Sequence, residues 1–267
     1  MLLIKNATIV HPDSKLNGKK RDLLIAEGKI VHIKTKIEAP NAEILEAKGV
    51  CVSVGWLDLG VQVGDPGFEH RETLASASAA AAAGGFTAIA CQPNAHPVVH
   101  SKSEVLYLRR HAAQELVDFY PIGAISQNCE GIDITEMYDM SEAGAIAFSD
   151  GQKPVQHAGL LMRALQYVKA FDGLIINHPH DKSLAPAGQM HEGTVSTSLG
   201  MRGFPTIAEE LMLQRDLYLL EYTDSRLHAA NISTAGAVAQ LRKAKARGLA
   251  LSSSVAVMNL IADDTAL

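Results

Sequence analysis

Residues 77–94 read Ala77-Ser78-Ala79-Ala80-Ala81-Ala82-Ala83-Gly84-Gly85-Phe86-Thr87-Ala88-Ile89-Ala90-Cys91-Gln92-Pro93-Asn94. Small residues of high helix propensity run into a Gly-Gly break, a short β-prone run follows, and polar residues close it. A helix packed tightly against a sheet accounts for the Ala run better than low-complexity disorder does. The segment is one helix, one turn and one strand with a polar end.

The same alternation continues to the end of the chain. Short β-prone runs lie near Gly55–Leu59, Phe86–Cys91, Val117–Ile125, Ala145–Phe148, Leu174–Asn177, Leu227–Ile232 and Leu249–Val255, seven candidate strands in all. Helical patterns fill most of the intervals. Ser101 with Glu104 has capping-box spacing and opens a helix running to about Leu116. Thr206 with Glu209 has the same spacing, ahead of Leu211, Leu213, Leu217 and Leu220 as core candidates. Ser233 or Thr234 can cap the helix that closes at Gly248. Repeated βα units predict a parallel sheet buried on both faces, as an open doubly wound sheet or a closed (β/α)8 barrel. No Gly-x-Gly-x-x-Gly follows a strand, which weakens the dinucleotide-binding version.

The first 53 residues differ. Leu2–Ile4 and Ala7–Val10 are short apolar runs separated from the next by turn residues at His11–Ser14 and Asn17-Gly18. Asp22–Ala26, Glu27-Gly28 and Lys29–Ile33 read as a hairpin, and a strand follows near Glu43–Leu45. The chain therefore divides into an all-β segment, 1–53, and a βα segment, 54–267.

Composition narrows the function. Lys and Arg number 24 against 29 Asp and Glu, a net charge of -5, so nucleic acid is not an expected partner. No apolar run reaches membrane-spanning length, and the N-terminus lacks a secretory pattern. Cys51, Cys91 and Cys129 form no CxxC and suggest a reducing compartment, so a cytoplasmic location is expected.

In a barrel, residues at the C-terminal ends of strands face the active-site mouth. Here successive strands end in Asp58-Leu59-Gly60-Val61-Gln62, Cys91-Gln92-Pro93-Asn94, Phe148-Ser149-Asp150-Gly151, Asn177-His178-Pro179-His180-Asp181 and His228 to Ser233. Asn94, Asp150, His178 and Asn231 thus come from different strands and can converge on one pocket. Asn and Asp are also common turn residues, but their recurrence at successive strand ends favours the barrel.

These motifs carry a resemblance. Gly55-Trp56-Leu57-Asp58-Leu59-Gly60-Val61-Gln62-Val63-Gly64-Asp65-Pro66-Gly67 resembles the metal-binding start of the dihydroorotases of the amidohydrolase superfamily, G-F-I-D-L-H-V-H-L-R-D-P-G. Cys91-Gln92-Pro93-Asn94 resembles their C-M-P-N, and Phe148-Ser149-Asp150-Gly151 their F-S-D-D-G. His178 to Asp181 resembles their H-A-E-D, and Arg226 to Thr234 their R-L-H-I-A-H-V-S-T. The resemblance implies an amidohydrolase-type (β/α)8 TIM-like barrel joined to the N-terminal part of a small β-sandwich. It also implies that the family sequence continues past Leu267 with an eighth strand, so the chain is expected to be a piece of a longer protein.

The departures from the family pattern bear on chemistry. The family's paired strand-one His bind a divalent metal, usually zinc. Gly60 and Gln62 stand there, and neither replaces imidazole on Zn2+. The strand-six His is Asn231, and the substrate-carboxylate Arg is Gly64. Of the metal ligands implied by the resemblance, Asp150 and His178 remain, and substrate-contacting Asn94 remains. Two protein ligands fall below the three of an ordinary catalytic zinc site. A relocated site using Asp150, His178 and His180 is the alternative, with His157, His191, His228, His96 and His100 as further imidazoles.

The leading expectation is a dihydroorotase-like protein of pyrimidine biosynthesis that has lost catalysis, with zinc absent or weakly bound. Non-catalytic chains of this kind serve as assembly partners of aspartate carbamoyltransferase, so that partner and a homo-oligomer are expected. The alternatives are an active cyclic amidohydrolase with an altered or mononuclear zinc site, and a non-catalytic module that binds a small ligand.

Overall fold

The computed structural model describes residues 1–266, which form two compact units, Met1–Trp56 and Leu57 onward. The first unit is one sheet of β1 (Leu2–Val10), β2 (Lys20–Ala26), β3 (Lys29–Lys34), β4 (Glu43–Leu45) and β5 (Cys51–Ser53). β1 and β2 pair antiparallel, as do β2 and β3, while β4 and β5 both run parallel to β1. The β2–β3 hairpin turns at Glu27 and Gly28, both with positive φ, which matches the right-handed twist of the two strands. Buried Asp22 accepts the backbone amides of Asn6 and Ile37 at 2.9 Å each, tying the irregular part of β1 to the segment after β3.

In the second unit, β6 (Trp56–Val61), β7 (Phe86–Cys91), β8 (Asp118–Gly123), β9 (Ala147–Phe148), β10 (Ile175–Asn177), β13 (Leu227–Ala229) and β14 (Leu251–Ser253) lie side by side in sequence order. The pairs from β7 through to β14 are parallel. Between β10 and β13 the chain makes an excursion whose short β11 (Met190–His191) and β12 (Gly203–Phe204) pair only with each other. All seven expected strands are present, arranged as seven successive strands of a barrel.

Helices α1 (Leu74–Ala83), α2 (Lys102–His111), α3 (Met137–Ala143), α4 (Ala158–Lys169), α6 (Thr206–Thr223) and α7 (Ala235–Ala246) connect the strands, and α5 (Thr194–Ser198) lies in the excursion. The outer core packs these helices on the sheet, with Leu160, Leu161, Leu165 and Val168 of α4 fully buried against Phe148 and Ile175. Ala90, Ile122, Ala147 and Ile176, one from each of four adjacent strands, form a separate cluster, the inward-facing layer of a parallel barrel.

Local rules explain most helix ends. Ser101 caps α2, and Glu104 returns a bond to the Ser101 amide at 2.9 Å, as its spacing predicts. Thr73 and Ser76 form a second capping box at α1, which starts before the Ala run. Thr234, not Ser233, is the cap of α7. Two expectations fail. α2 ends at His111, followed by a short 3-10 turn, and Leu116 is 83% exposed, because β8 begins only at Asp118. Thr206 is also no capping residue: Pro205 takes that place, and Glu209 turns away from the start of its own helix.

Glu209 instead caps α7. Its buried carboxylate accepts the Ser233 hydroxyl at 2.7 Å, the Thr234 hydroxyl and amide at 2.9 Å each, and the Ser233 amide at 3.1 Å. α6 therefore buries the face carrying Glu209, Met212, Leu213, Asp216, Leu217 and Leu220, while Leu211, expected in the core, points outward at 49% exposure. Replacing Glu209 by Ala orphans two backbone donors and two hydroxyls at once. Glu209→Ala is expected to cost about 3 kcal/mol in urea unfolding, with Glu209→Gln costing less because the amide oxygen still accepts.

Candidate functional site at the strand ends

Asp150 follows β9 and is 2% exposed. Oδ1 accepts the backbone amides of Ile125 and Ser126 at 2.9 Å each, and Oδ2 accepts the Ser126 hydroxyl at 2.5 Å. Burial raises its pKa above the ordinary carboxylate value, against the opposing pull of those donors. The loop that wraps it is strained: Asn128 and Cys129 both have positive φ, and Gly131 donates its amide to the Ser126 hydroxyl at 2.8 Å. Beside it the Cys129 thiol is pushed up to about 12, by burial first and then by the nearby Asp150 charge.

Asn94 leaves the end of β7 and reaches the loop after β9 that carries Asp150. Its amide donates to the Asp150 carbonyl at 3.2 Å, and its oxygen accepts the Gln152 amide at 3.4 Å. A Cβ on Gly151, whose φ is +65°, would lie 1.8 Å from that oxygen, so the close approach requires glycine. Asn94 and Asp150 are thus brought together, as parts of one bonded loop.

The end of β10 carries a second network. Asn177 is buried, accepts the Val155 amide at 3.1 Å and donates to Asp216 Oδ2 at 2.6 Å. Arg215 grips Asp216 Oδ1 through Nε at 2.8 Å and Nη2 at 2.6 Å, and also donates to the carbonyls of Val155 and Gln156. Gln156 in turn donates to the His180 carbonyl at 2.9 Å and accepts the Lys182 amide at 3.2 Å. The segment bearing His178 and His180 is therefore held from below by an Arg–Asp pair. The two imidazoles lie 5.7 Å apart, centre to centre. Burial is the first cause lowering the pKa of His178, followed by the neighbouring His180 charge.

Neither the Arg215–Asp216 pair nor Ser126 was singled out in the sequence. A signal for Asp216 existed: its spacing from Glu209, Leu213 and Leu220 puts a charge on the buried face of α6.

The remaining strand ends offer weak donors. Gly60 has φ +117°, and Gln92 lies over it with a buried amide oxygen that has no hydrogen-bond partner. His228 is buried, its two ring nitrogens bonded to the hydroxyls of Ser252 at 2.8 Å and Ser254 at 3.0 Å. Asn231 has φ +54° and donates its backbone amide to the Ser254 hydroxyl at 3.2 Å. His157 caps α4 by accepting the Leu160 amide, and His100 accepts the Asn128 amide. Among the described residues no group of three or more His, Cys, Asp or Glu is placed to hold a metal ion. The relocated set of Asp150, His178 and His180 is therefore not assembled among the described residues, because the Asp150 carboxylate faces the loop after β8. A cleft of about 780 Å3 opens nearby at the start of α6 and α7, lined in part by His191, Glu210, Thr234, Asn259 and Asp263.

The strand order and the motif positions agree with comparison to known proteins. Residues 49–237 match the family described as Dihydro-orotase-like. The chain belongs to that family. It is 44% identical to a dihydroorotase of Pelotomaculum thermopropionicum, covering 100% of this chain and 62% of the relative. A dihydroorotase of Syntrophus aciditrophicus is 40% identical over 93% of this chain and 59% of its own length. The chain thus spans about three fifths of these curated relatives. Among solved structures, the L-hydantoinase of Arthrobacter aurescens superimposes with a TM-score of 0.76 at 22% identity, covering 95% of this chain and 58% of the hydantoinase. A D-hydantoinase gives 0.77 at 23% identity, covering 99% and 59%. These likenesses establish the amidohydrolase barrel fold. The family is zinc-dependent, and among the described residues Gly60, Gln62 and Asn231 present no imidazole for such a site.

Asp216 supplies a pH test of the β10 network. Its burial raises the pKa to about 6, the Arg215 charge and the bonds from Asn177 and Arg215 opposing that rise. A carboxyl raised in the folded state binds its proton more tightly there than in the unfolded chain. Its contribution to stability is complete below the unfolded pKa of about 4 and is lost as pH rises through about 6. Denaturant unfolding between pH 4 and pH 7 is expected to show that decline, and Asp216→Asn is expected to flatten it while lowering stability overall by about 3 kcal/mol.

Proposed function

We propose that this dihydroorotase-family chain of pyrimidine biosynthesis is non-catalytic and serves as a structural partner of aspartate carbamoyltransferase. The observation that carries the loss of catalysis is the set of residues at the family's chemical positions. Gly60 and Gln62 stand at the paired His of strand one, Asn231 at the His of strand six, and Gly64 at the substrate Arg. Asp150, a retained carboxylate, spends its oxygens on Ile125 and Ser126.

In the family, a bound metal lowers the pKa of water to about 7 and polarises the scissile carbonyl of a cyclic amide. No step of that kind follows from the donors present. What these residues do is hold backbone: Asp150 fixes the loop after β8, Asn94 fixes the loop after β9, and Asn177 with Asp216 fixes the turn before α4. The substrate carboxylate also loses its bidentate partner at Gly64. Zinc is accordingly absent or weakly bound in this reading, the location is cytoplasmic and the chain forms a homo-oligomer. The charge of -5 agrees with a partner that is not nucleic acid, and no helix among the described residues is long and apolar enough to cross a membrane.

The partnership with aspartate carbamoyltransferase rests on the resemblance to non-catalytic dihydroorotase-like chains. With zinc added, dihydroorotate hydrolysis by the intact protein is expected to be at least about 10^3-fold slower than for an ordinary family member, the loss of several kcal/mol of metal stabilisation. Sedimentation velocity of the chain mixed with aspartate carbamoyltransferase is expected to give one faster species containing both. Hydrolysis at the family's usual rate would identify an active enzyme with an altered zinc site. No hydrolysis, no joint species and a thermal shift with orotate or dihydroorotate would point to a ligand-binding module.

A further inference from the structure

At two of the positions where the family carries larger side chains, the backbone of this chain has no easy place for a Cβ. Gly60 sits at φ +117°, a conformation that residues with a Cβ rarely adopt. The nearest atom to a Cβ there, the Gln92 amide nitrogen at 2.9 Å, ends a flexible side chain and can move; the backbone angle cannot be relieved so easily. At Gly64 a Cβ would meet backbone directly, 2.3 Å from the Phe68 carbonyl oxygen and 2.8 Å from that of Glu72. The same turn is closed on Gly64 by the Phe68 amide, which donates to the Gly64 carbonyl at 2.5 Å.

A second observation comes from another strand. The Asp150 carboxylate is enclosed by the amides of Ile125 and Ser126 and the hydroxyl of Ser126, within a loop that passes through two consecutive positive-φ residues to follow it. The loop has taken the carboxylate as its own anion, in the way that successive amides cradle a bound one.

We propose that the zinc site of this chain has been replaced at the level of the backbone, so that restoring the family's side chains does not restore metal binding, and that Asp150 is now a staple between the loops after β8 and β9. The proposal rests on the non-catalytic reading and goes further, because side-chain loss alone would be reversible. It makes Gly60 a conformational requirement and Asp150 a stability residue with no metal to release.

The test uses the full chain in four forms: unchanged, Gly60→Ala, Asp150→Asn, and the combined Gly60→His, Gln62→His and Asn231→His variant. Bound zinc is measured by equilibrium dialysis with elemental analysis, and Tm by calorimetry with and without zinc. The combined variant is expected to bind well under one zinc per chain and to melt below the unchanged protein. Gly60→Ala is expected to lower Tm by roughly 3–6 °C through the backbone alone, which keeps the proposal testable if the combined variant fails to fold. Asp150→Asn is expected to lower Tm equally with zinc and with a chelator. About one tightly bound zinc in the combined variant, a Gly60→Ala protein with unchanged Tm, or an Asp150→Asn loss of Tm seen only with zinc would each overturn it. If the unchanged chain binds zinc and hydrolyses dihydroorotate, the non-catalytic reading fails; if only the combined variant gains zinc, that reading stands and the backbone proposal alone fails.

Discussion

A carboxylate at the end of β9 has nowhere to put its charge except into the protein. Asp150 is enclosed by the sheet and the loop above it, and an unpaired ionised group there would cost far more than the fold can spare. Three donors from the loop after β8 solve the problem, and that solution sets the path of residues 125–131, including the positive φ at Asn128 and Cys129. The path then places the Thr135 hydroxyl on the Ala124 carbonyl at 2.6 Å, just before α3. Much of the upper face between β8 and β9 follows from satisfying one side chain.

The same logic recurs around the sheet. Glu209 reaches across to the start of α7, and Asp216 reaches down to Asn177, each with its oxygens committed inside the unit. Acidic residues at the open end of a parallel barrel are ordinarily available to metals and substrates. Here Asp150, Glu209 and Asp216 are buried and spent on amides, hydroxyls and one guanidinium. Stability and availability compete for the same lone pairs, and in this chain stability holds them.

The βα rhythm was legible because short apolar strands and capped helices leave period and punctuation in the sequence. All seven strands, the hairpin at Glu27-Gly28 and the caps at Ser101 and Thr234 follow from local rules. The failures share a cause. Thr206-x-x-Glu209 has capping-box spacing, but the spacing cannot reveal that the hydroxyls of Ser233 and Thr234, 24 and 25 residues later, compete for Glu209. Leu211 looked like core because the helix is apolar on several sides, and which side packs was set by the sheet. At the site, the identities at positions 60, 62, 64 and 231 were readable against the family motif. The inward turn of Asp150 was not, since nothing in Phe148-Ser149-Asp150-Gly151 says which way a carboxylate points.

Gly60 links these levels. A His at that position requires extended backbone to aim its ring, whereas glycine permits the +117° angle, and the Gln92 amide then lies across the place where a ring would project. Gln92 itself joins the sheet, donating its backbone amide to the Val61 carbonyl at 2.9 Å. Its side-chain oxygen is buried without a partner, a cost of about 1–3 kcal/mol that the surrounding packing must offset. In the non-catalytic reading, the residue change at position 60 is held in place by the packing of Gln92 at the end of β7.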